Sequence, residues 1–80
     1  MTTTLIVERS RKDAAGNVIA ICGAGFTHDA ATAIANIRSQ AFQYRVLRTD
    51  GPHVRPYGTH FLTSDPDSKT GNNLHNLPAC

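Results

Sequence analysis

One run of this sequence has helical spacing. Ala30, Ala33, Ile34, Ile37 and Ala41 recur at intervals of three and four and form a single apolar stripe. Thr27 is placed to cap that helix, with Asp29 in its first turn. The spacing predicts a helix from about Thr27 to about Gln40, with Arg38 and Gln40 off the stripe. Every other apolar run is short and β-branched or alternating. A chain built this way has one helix to lay over one face of a sheet.

The strands read as follows. Leu5-Ile6-Val7-Glu8-Arg9 and Val18-Ile19-Ala20-Ile21-Cys22 are β-branched runs on either side of Lys12 to Asn17, which holds the Asp, Gly and Asn of a turn. They predict a hairpin. Gly23-Ala24-Gly25 supplies a flexible corner between strand and helix. Phe42 to Arg48 alternates and predicts a third strand; Asp50-Gly51-Pro52 is a turn. Val54 to Thr63 predicts a fourth strand, interrupted by Pro56 and Gly58. Proline lacks the N–H of a central ladder, which sends this strand to an edge or gives it a bulge. Ser64 to Gly71 reads as a loop. The expected class is α+β: a ββαββ order, an antiparallel four-stranded sheet and one helix packed on one face. Residues 1–80 form a single expected domain, closed by a C-terminal latch over 72–80.

Size and composition limit function. An 80-residue chain buries roughly 60% of the surface its unfolded form exposes, so its core is small. Apolar content of 40% and charged content of 18% are globular values. No apolar run approaches the ~20 residues of a membrane span. Met1-Thr2-Thr3-Thr4 has no basic start before an apolar stretch, so no signal peptide is read. Two cysteines make no disulfide framework. The expectation is a reduced, cytoplasmic protein. The net charge of +2 permits, without demanding, a nucleic-acid or acidic protein partner.

Motifs for chemistry are weak. VIAICGAGFTH resembles a dinucleotide fingerprint in its Gly-x-Gly. His28 stands where the third glycine belongs, and Arg45 and Leu47 stand where an acidic residue is required about 20 residues on. Cys22, His28, His53, His60, His75 and Cys80 are scattered singly, without the paired spacing of a zinc site. His28 is expected in the first helical turn, His53 and His60 on a half-exposed strand, and His75 in solvent. Asp13, Asp50, Asp65 and Asp67 sit in predicted turns, where aspartate has a structural role. A nucleophilic Cys22 would need a histidine base beside it; a buried strand cysteine is the plainer reading. No catalytic residue, metal or cofactor is assigned, and the chain is read as a non-enzyme.

The basic residues carry more. Six of the eight are arginine, whose planar fork suits carboxylate and phosphate and is enriched at interfaces. Arg9 and Arg11, with Lys12, cluster at the first hairpin, Arg45 and Arg48 lie on the third strand, and Arg55 on the fourth. Tyr44 and Tyr57 share those strands. If these residues occupy the sheet face opposite the helix, they make a contact surface for a protein or a nucleic acid. The plainer alternative is a solvated face.

The tail, NNLHNLPAC, looks composed. Asn73 can cap one helical turn, Leu74 and Leu77 then point the same way, and Pro78 stops the turn. Cys80 reads either as a small apolar plug or as an exposed terminal thiol. This ending, Asn-Leu-x-x-Leu-Pro-x-Cys from Asn73 to Cys80, follows Phe61-Leu62-Thr63 and the loop with Asp65 to Asp67. In these features the chain resembles the bacterial domain-of-unknown-function family numbered thirty-eight ninety-two. The Ile37 to Tyr44-x-Val46 stretch agrees as well. That family often carries a tryptophan before its helix, where Phe26 stands here.

In size, single-domain plan and absence of an active-site motif, the chain is also similar to phage and mobile-element anti-CRISPR proteins. That resemblance implies an inhibitor that binds a type I Cascade-type surveillance complex and blocks target DNA binding by steric or electrostatic competition. The contact residues would be Arg9, Arg11, Arg45, Arg48, Arg55, Tyr44 and Tyr57. The alternatives are a small nucleic-acid-binding module, or a homodimeric structural protein pairing through Leu5-Ile6-Val7.

Overall fold

The computed structural model describes residues 2–64 and 74–80. Its elements are β1 (Thr3–Val7), β2 (Arg9–Lys12), β3 (Val18–Gly23), β4 (Phe26–Asp29), α1 (Ala30–Arg38), β5 (Phe42–Val46), β6 (Val54–Tyr57), β7 (Phe61–Ser64) and a 3-10 turn at Leu74–Asn76. The class is α+β with one helix and a mostly antiparallel sheet. The finer expectation of ββαββ and four strands is corrected. Five strands form one sheet, in the order β2-β3-β7-β6 with β4 also on β3, and β1 and β5 form a parallel pair.

The first correction concerns the hairpin. It uses Arg9–Lys12, not Leu5–Arg9, as its first strand, with Ser10 opposite Ile21 and Arg11 opposite Ala20. Ile19 is left unopposed as a bulge before Val18 meets Lys12. The turn sets this register. Asp13 Oδ1 accepts from the N–H groups of Ala15 at 3.0 Å and Asn17 at 2.9 Å, and Gly16 takes φ +87°. The Asn17 backbone bond, above all, holds the Asp13 carboxyl below its ordinary range, against an opposing desolvation effect. Only Ser10 of β2 points inward, so the strand carries almost no apolar signal.

Thr3–Val7 instead pairs parallel with Phe42–Val46. The segment Leu5-Ile6-Val7 is therefore engaged within the chain. β1 and β2 form one extended run that serves both sheets. β5 is joined to the start of β6 by the Arg45–His53 bridge and by Val46 N–H donating to Pro52 O at 3.0 Å. The two sheets thus wrap into a small barrel-like wall.

The second correction lies at the glycines. Gly23-Ala24-Gly25 turns β3 back on itself into β4, with Gly25 at φ +80°. A Cβ on Gly23 would collide with the Ile6 carbonyl oxygen and the Phe26 ring, so glycine is what lets β1 cross β3 this closely. The helix begins one element later than expected. Thr27 and His28 are strand residues, and Asp29 is the cap, accepting the Thr32 N–H at 2.8 Å. That bond holds the Asp29 carboxyl below its ordinary range. The helix stops at Arg38 with Ser39 as its C-cap, and Gln40 turns left-handed at φ +62°. With an antiparallel strand and a hairpin where a nucleotide fold needs a parallel strand and a helix N-terminus, the Gly-x-Gly has no phosphate cradle to build.

The third correction divides the expected fourth strand. Val54–Tyr57 and Phe61–Ser64 are two strands of a hairpin, turning at Gly58 with φ +69°. Pro56 does lie on an edge strand, opposite Leu62.

α1 covers the inner side of this wall, burying Ala30, Ala33 and Ile34 against Val18, Ile21, Val46, Val54 and Leu62. The tail closes the remaining end. Leu74 and Leu77 are buried in the same core. Ser10, buried on β2, donates its hydroxyl to Leu74 O at 2.8 Å and its N–H to Pro78 O at 3.0 Å. It accepts the Cys80 N–H at 3.3 Å. With Ala79 bridged in parallel to Ser10, the tail adds a short strand to the open edge of β2. The expected Asn73 cap and the Asp65–Asp67 loop lie outside the described residues.

Cys22 and Cys80 form a disulfide, with Cα atoms 6.3 Å apart. This overturns the reading of both as reduced thiols. Cys80 is neither a plug nor a free thiol: the tail carries it back across β2 to the outer side of β3, where Cys22 points. No described helix is long and apolar enough to cross a membrane.

Candidate functional site

The sequence-predicted contact residues divide into two groups. Arg9 and Arg11 alternate with inward Ser10 on β2 and are exposed. Arg55 and Tyr57 alternate with Val54 and Pro56 on β6 and are exposed, Tyr57 to 60%. All four lie on the side of the five-stranded sheet away from the helix, at its two ends. Register places Thr63 opposite Arg55 and Phe61 opposite Tyr57, both on that same outer side, so the β6–β7 edge presents a cross-strand aromatic pair.

The other three do not join them. Arg45 is half-buried and donates to Gly51 O at 2.9 Å, bracing the turn between β5 and β6. Arg48 pairs with Asp50 at 3.2 Å within that turn; both are well exposed, and such a pair adds little stability. Tyr44 is a correction. It is fully buried and has no surface to offer a partner.

The role of Tyr44 is internal. Its hydroxyl lies 2.8 Å from His28 Nδ1 and accepts from Asn36 Nδ2 at 2.9 Å. Phe26 and Phe42 flank the pair: Phe26 stands 5.1 Å from the His28 ring and Phe42 6.1 Å from it, while the Tyr44 and His28 rings meet edge-on. Three elements supply this cluster: β4 gives Phe26 and His28, α1 gives Asn36, and β5 gives Phe42 and Tyr44. The sequence signal was present. Tyr44 is two residues from Val46 on an alternating strand, which puts both on one face.

Burial pushes the Tyr44 phenol above its ordinary value of 10.0, and the Asn36 hydrogen bond pulls weakly the other way. The phenol therefore stays neutral in the folded protein after it has begun to ionise in the unfolded chain. Its stabilising effect is complete below pH 10 and is lost as pH rises through and beyond that value. Urea melts between about pH 9 and 12 should show wild type losing stability more steeply than Tyr44→Phe. Equal slopes for wild type and Tyr44→Phe would remove the phenol as the cause. At neutral pH, Tyr44→Phe should cost about 1–3 kcal/mol, because it strands the His28 and Asn36 partners.

Two of the cavities among the described residues bear on the site. One, of about 430 Å³, is bounded by Glu8, Arg9, Gly23, Thr27 and the Cys22–Cys80 disulfide. The other, of about 270 Å³, lies between the end of α1 and β5–β6 and is lined in part by Ile37, Phe42, His53 and Arg55. Among the described residues, no three His, Cys, Asp or Glu side chains converge as a metal site would need. His53 is half-buried at its bridge to Arg45; His60 and His75 are exposed and separate.

These features define a small α+β module: a curled, mostly antiparallel sheet around one helix, closed by a disulfide-tied tail, with arginines and an aromatic pair on its outer side. The chain belongs to the family described as protein of unknown function (DUF3892), which matches it over residues 6–78. That span takes in the end of β1, every later strand, the helix and most of the closing Asn-Leu-x-x-Leu-Pro-x-Cys signature. No curated protein sequence and no solved structure matches the chain.

Proposed function

We propose that this protein is a binding module that acts by occupying a partner's surface, and that its contact face is the outer side of the five-stranded sheet. The observation that carries this reading is the outward placement of Arg9, Arg11, Arg55 and Tyr57, with Phe61 beside Tyr57. Arginine and tyrosine supply wide, oriented contacts at interfaces, and a rigid sheet holds them at little entropic cost. The partner is a protein or ribonucleoprotein complex, bound without bond chemistry. Its narrowest form is an anti-CRISPR inhibitor of a type I Cascade-type complex, acting in a bacterial cytoplasm.

A pull-down of such a complex tests it. Wild type should be retained, and Arg9→Glu with Arg11→Glu should weaken capture about tenfold or more. Arg48→Glu, which alters a solvated turn, should not. Equal capture of wild type and the double variant would place the contact elsewhere. If nothing is captured while interference stays fully active, the inhibitor reading fails.

The aromatic pair with neighbouring arginines favours one further reading, a single-stranded nucleic acid stacked across β6–β7. Its mark would be micromolar binding that weakens steeply with salt and is lost in Tyr57→Ala.

A further inference from the structure

The cavity of about 430 Å³ has a feature that surface contact does not use: a disulfide on its wall. We propose that the Cys22–Cys80 disulfide is an exchange site for a zwitterionic amino-acid or short-peptide thiol, seated by Arg9 and Glu8, and that exchange at Cys80 cuts the tether of the tail. This holds independently of the partner reading.

The two sulfurs are unequal. Cys22 sits on the interior strand β3 and is 8% exposed, whereas Cys80 is exposed. Attack by an incoming thiolate follows access, so Cys80 Sγ is the electrophile and Cys22 the leaving group. The thiolate forms a new S–S bond to Cys80 Sγ, the Cys22–Cys80 bond breaks, and its electron pair goes to Cys22 Sγ, which takes a proton from water. A second thiolate attacks the mixed disulfide and leaves Cys80 reduced. The balance is one protein disulfide reduced by two electrons and two small thiols oxidised to their own disulfide.

The ligand class follows from the cavity walls. Arg9 stands directly opposite Cys22 in the β2–β3 register, so its side chain leaves the sheet on the same side. Among the described residues it makes no hydrogen bond or ion pair, and neither does the Glu8 carboxylate. A guanidinium and a carboxylate beside one disulfide suit a thiol that carries both a carboxylate and an ammonium group. The volume falls within the range of small-molecule sites. After exchange the tail has no covalent tether and is held by the burial of Leu74 and Leu77 and by hydrogen bonds to Ser10, Ser64 and Lys12.

Glutathione is the probe. The oxidised full chain is incubated with it under native conditions, quenched with acid and mapped by mass spectrometry. The expected first product carries one glutathione, on Cys80. Arg9→Ala should slow its formation about two- to fivefold, the worth of one exposed ion pair. It should leave the rate with neutral 2-mercaptoethanol unchanged. Arg11→Ala, on the same strand and exposed, should leave both rates unchanged, which controls for net charge. A first adduct on Cys22 overturns the proposal. So does exchange no faster than global unfolding, or equal slowing of both thiols by Arg9→Ala.

Discussion

Replacing Leu74 with alanine should lower the unfolding free energy by about 2–5 kcal/mol. Leu74 is 0% exposed and lies in the core with Val7, Val18, Tyr44 and Leu62, although only a 3-10 turn carries it. Its backbone is fixed from both sides: the carbonyl accepts Ser10 Oγ–H at 2.8 Å, and the N–H donates to Ser64 Oγ at 3.0 Å. A site held this firmly cannot collapse around a missing isobutyl group, so the cavity term stays near its full size. In a domain of this size each 1 kcal/mol moves the melting temperature by about 4–8 °C. Leu77→Ala should act in the same direction, since Leu77 is 5% exposed in the same core. His75→Ala, exposed between them, should stay within about 0.5 kcal/mol of wild type. Thermal melts of the three variants decide this, and an unchanged melting temperature for Leu74→Ala would mean that the tail does not close the core.

The tail shows what the sequence could disclose. Two leucines three apart, with a proline to end the turn, announce a buried one-turn element without any long-range information. The helix was legible for the same reason: its stripe is local, and of the five residues read into it Ala30, Ala33 and Ile34 are buried and Ile37 half-buried, while Ala41 lies beyond the helix end and is exposed. Its start was not. Thr27 and Asp29 both suit an N-cap, and the choice between them was made by β4, whose pairing to β3 rests on backbone bonds that side-chain types do not encode. The parallel pair β1–β5 was hidden more deeply. Alternation shows which face of a strand is buried, but it does not name the neighbour, and Thr3 pairs with Phe42 across the whole first half of the chain.

The arginines divide along the same line. Arg9 and Arg11 share a face by parity, and so do Arg55 and Tyr57. Arg45 lies on β5, but that strand ends at Val46, and Leu47 at φ +67° sends Arg48 into the following turn, so parity does not relate the two. The His28–Tyr44–Asn36 cluster gathers side chains from a strand, a helix and another strand. Each is ordinary in isolation, and only the fold makes them one group.

The disulfide was least legible, because two cysteines 58 residues apart carry no pairing pattern, and its removal should be felt strongly. Cys22→Ala with Cys80→Ala should lose about 4 kcal/mol, the chain entropy released to the unfolded state by opening a loop of that length. Against a total of about 5–15 kcal/mol for a small domain, this is a large share. Urea melts of the oxidised protein and the double variant measure it, with the midpoint as the readout. Reduced wild type should melt with the variant, since both lack the same constraint. If the variant melts with oxidised wild type, the bond adds no stability and noncovalent contacts hold the tail. Combining Leu74→Ala with the cysteine replacements separates these holds. The tether keeps the tail beside β2 even when its apolar anchor is trimmed, and the anchor keeps it there when the tether is cut. Each loss is therefore partly masked by the other hold. The triple variant should be less stable than the sum of the separate losses predicts, and strict additivity would mean that tether and anchor act on different elements.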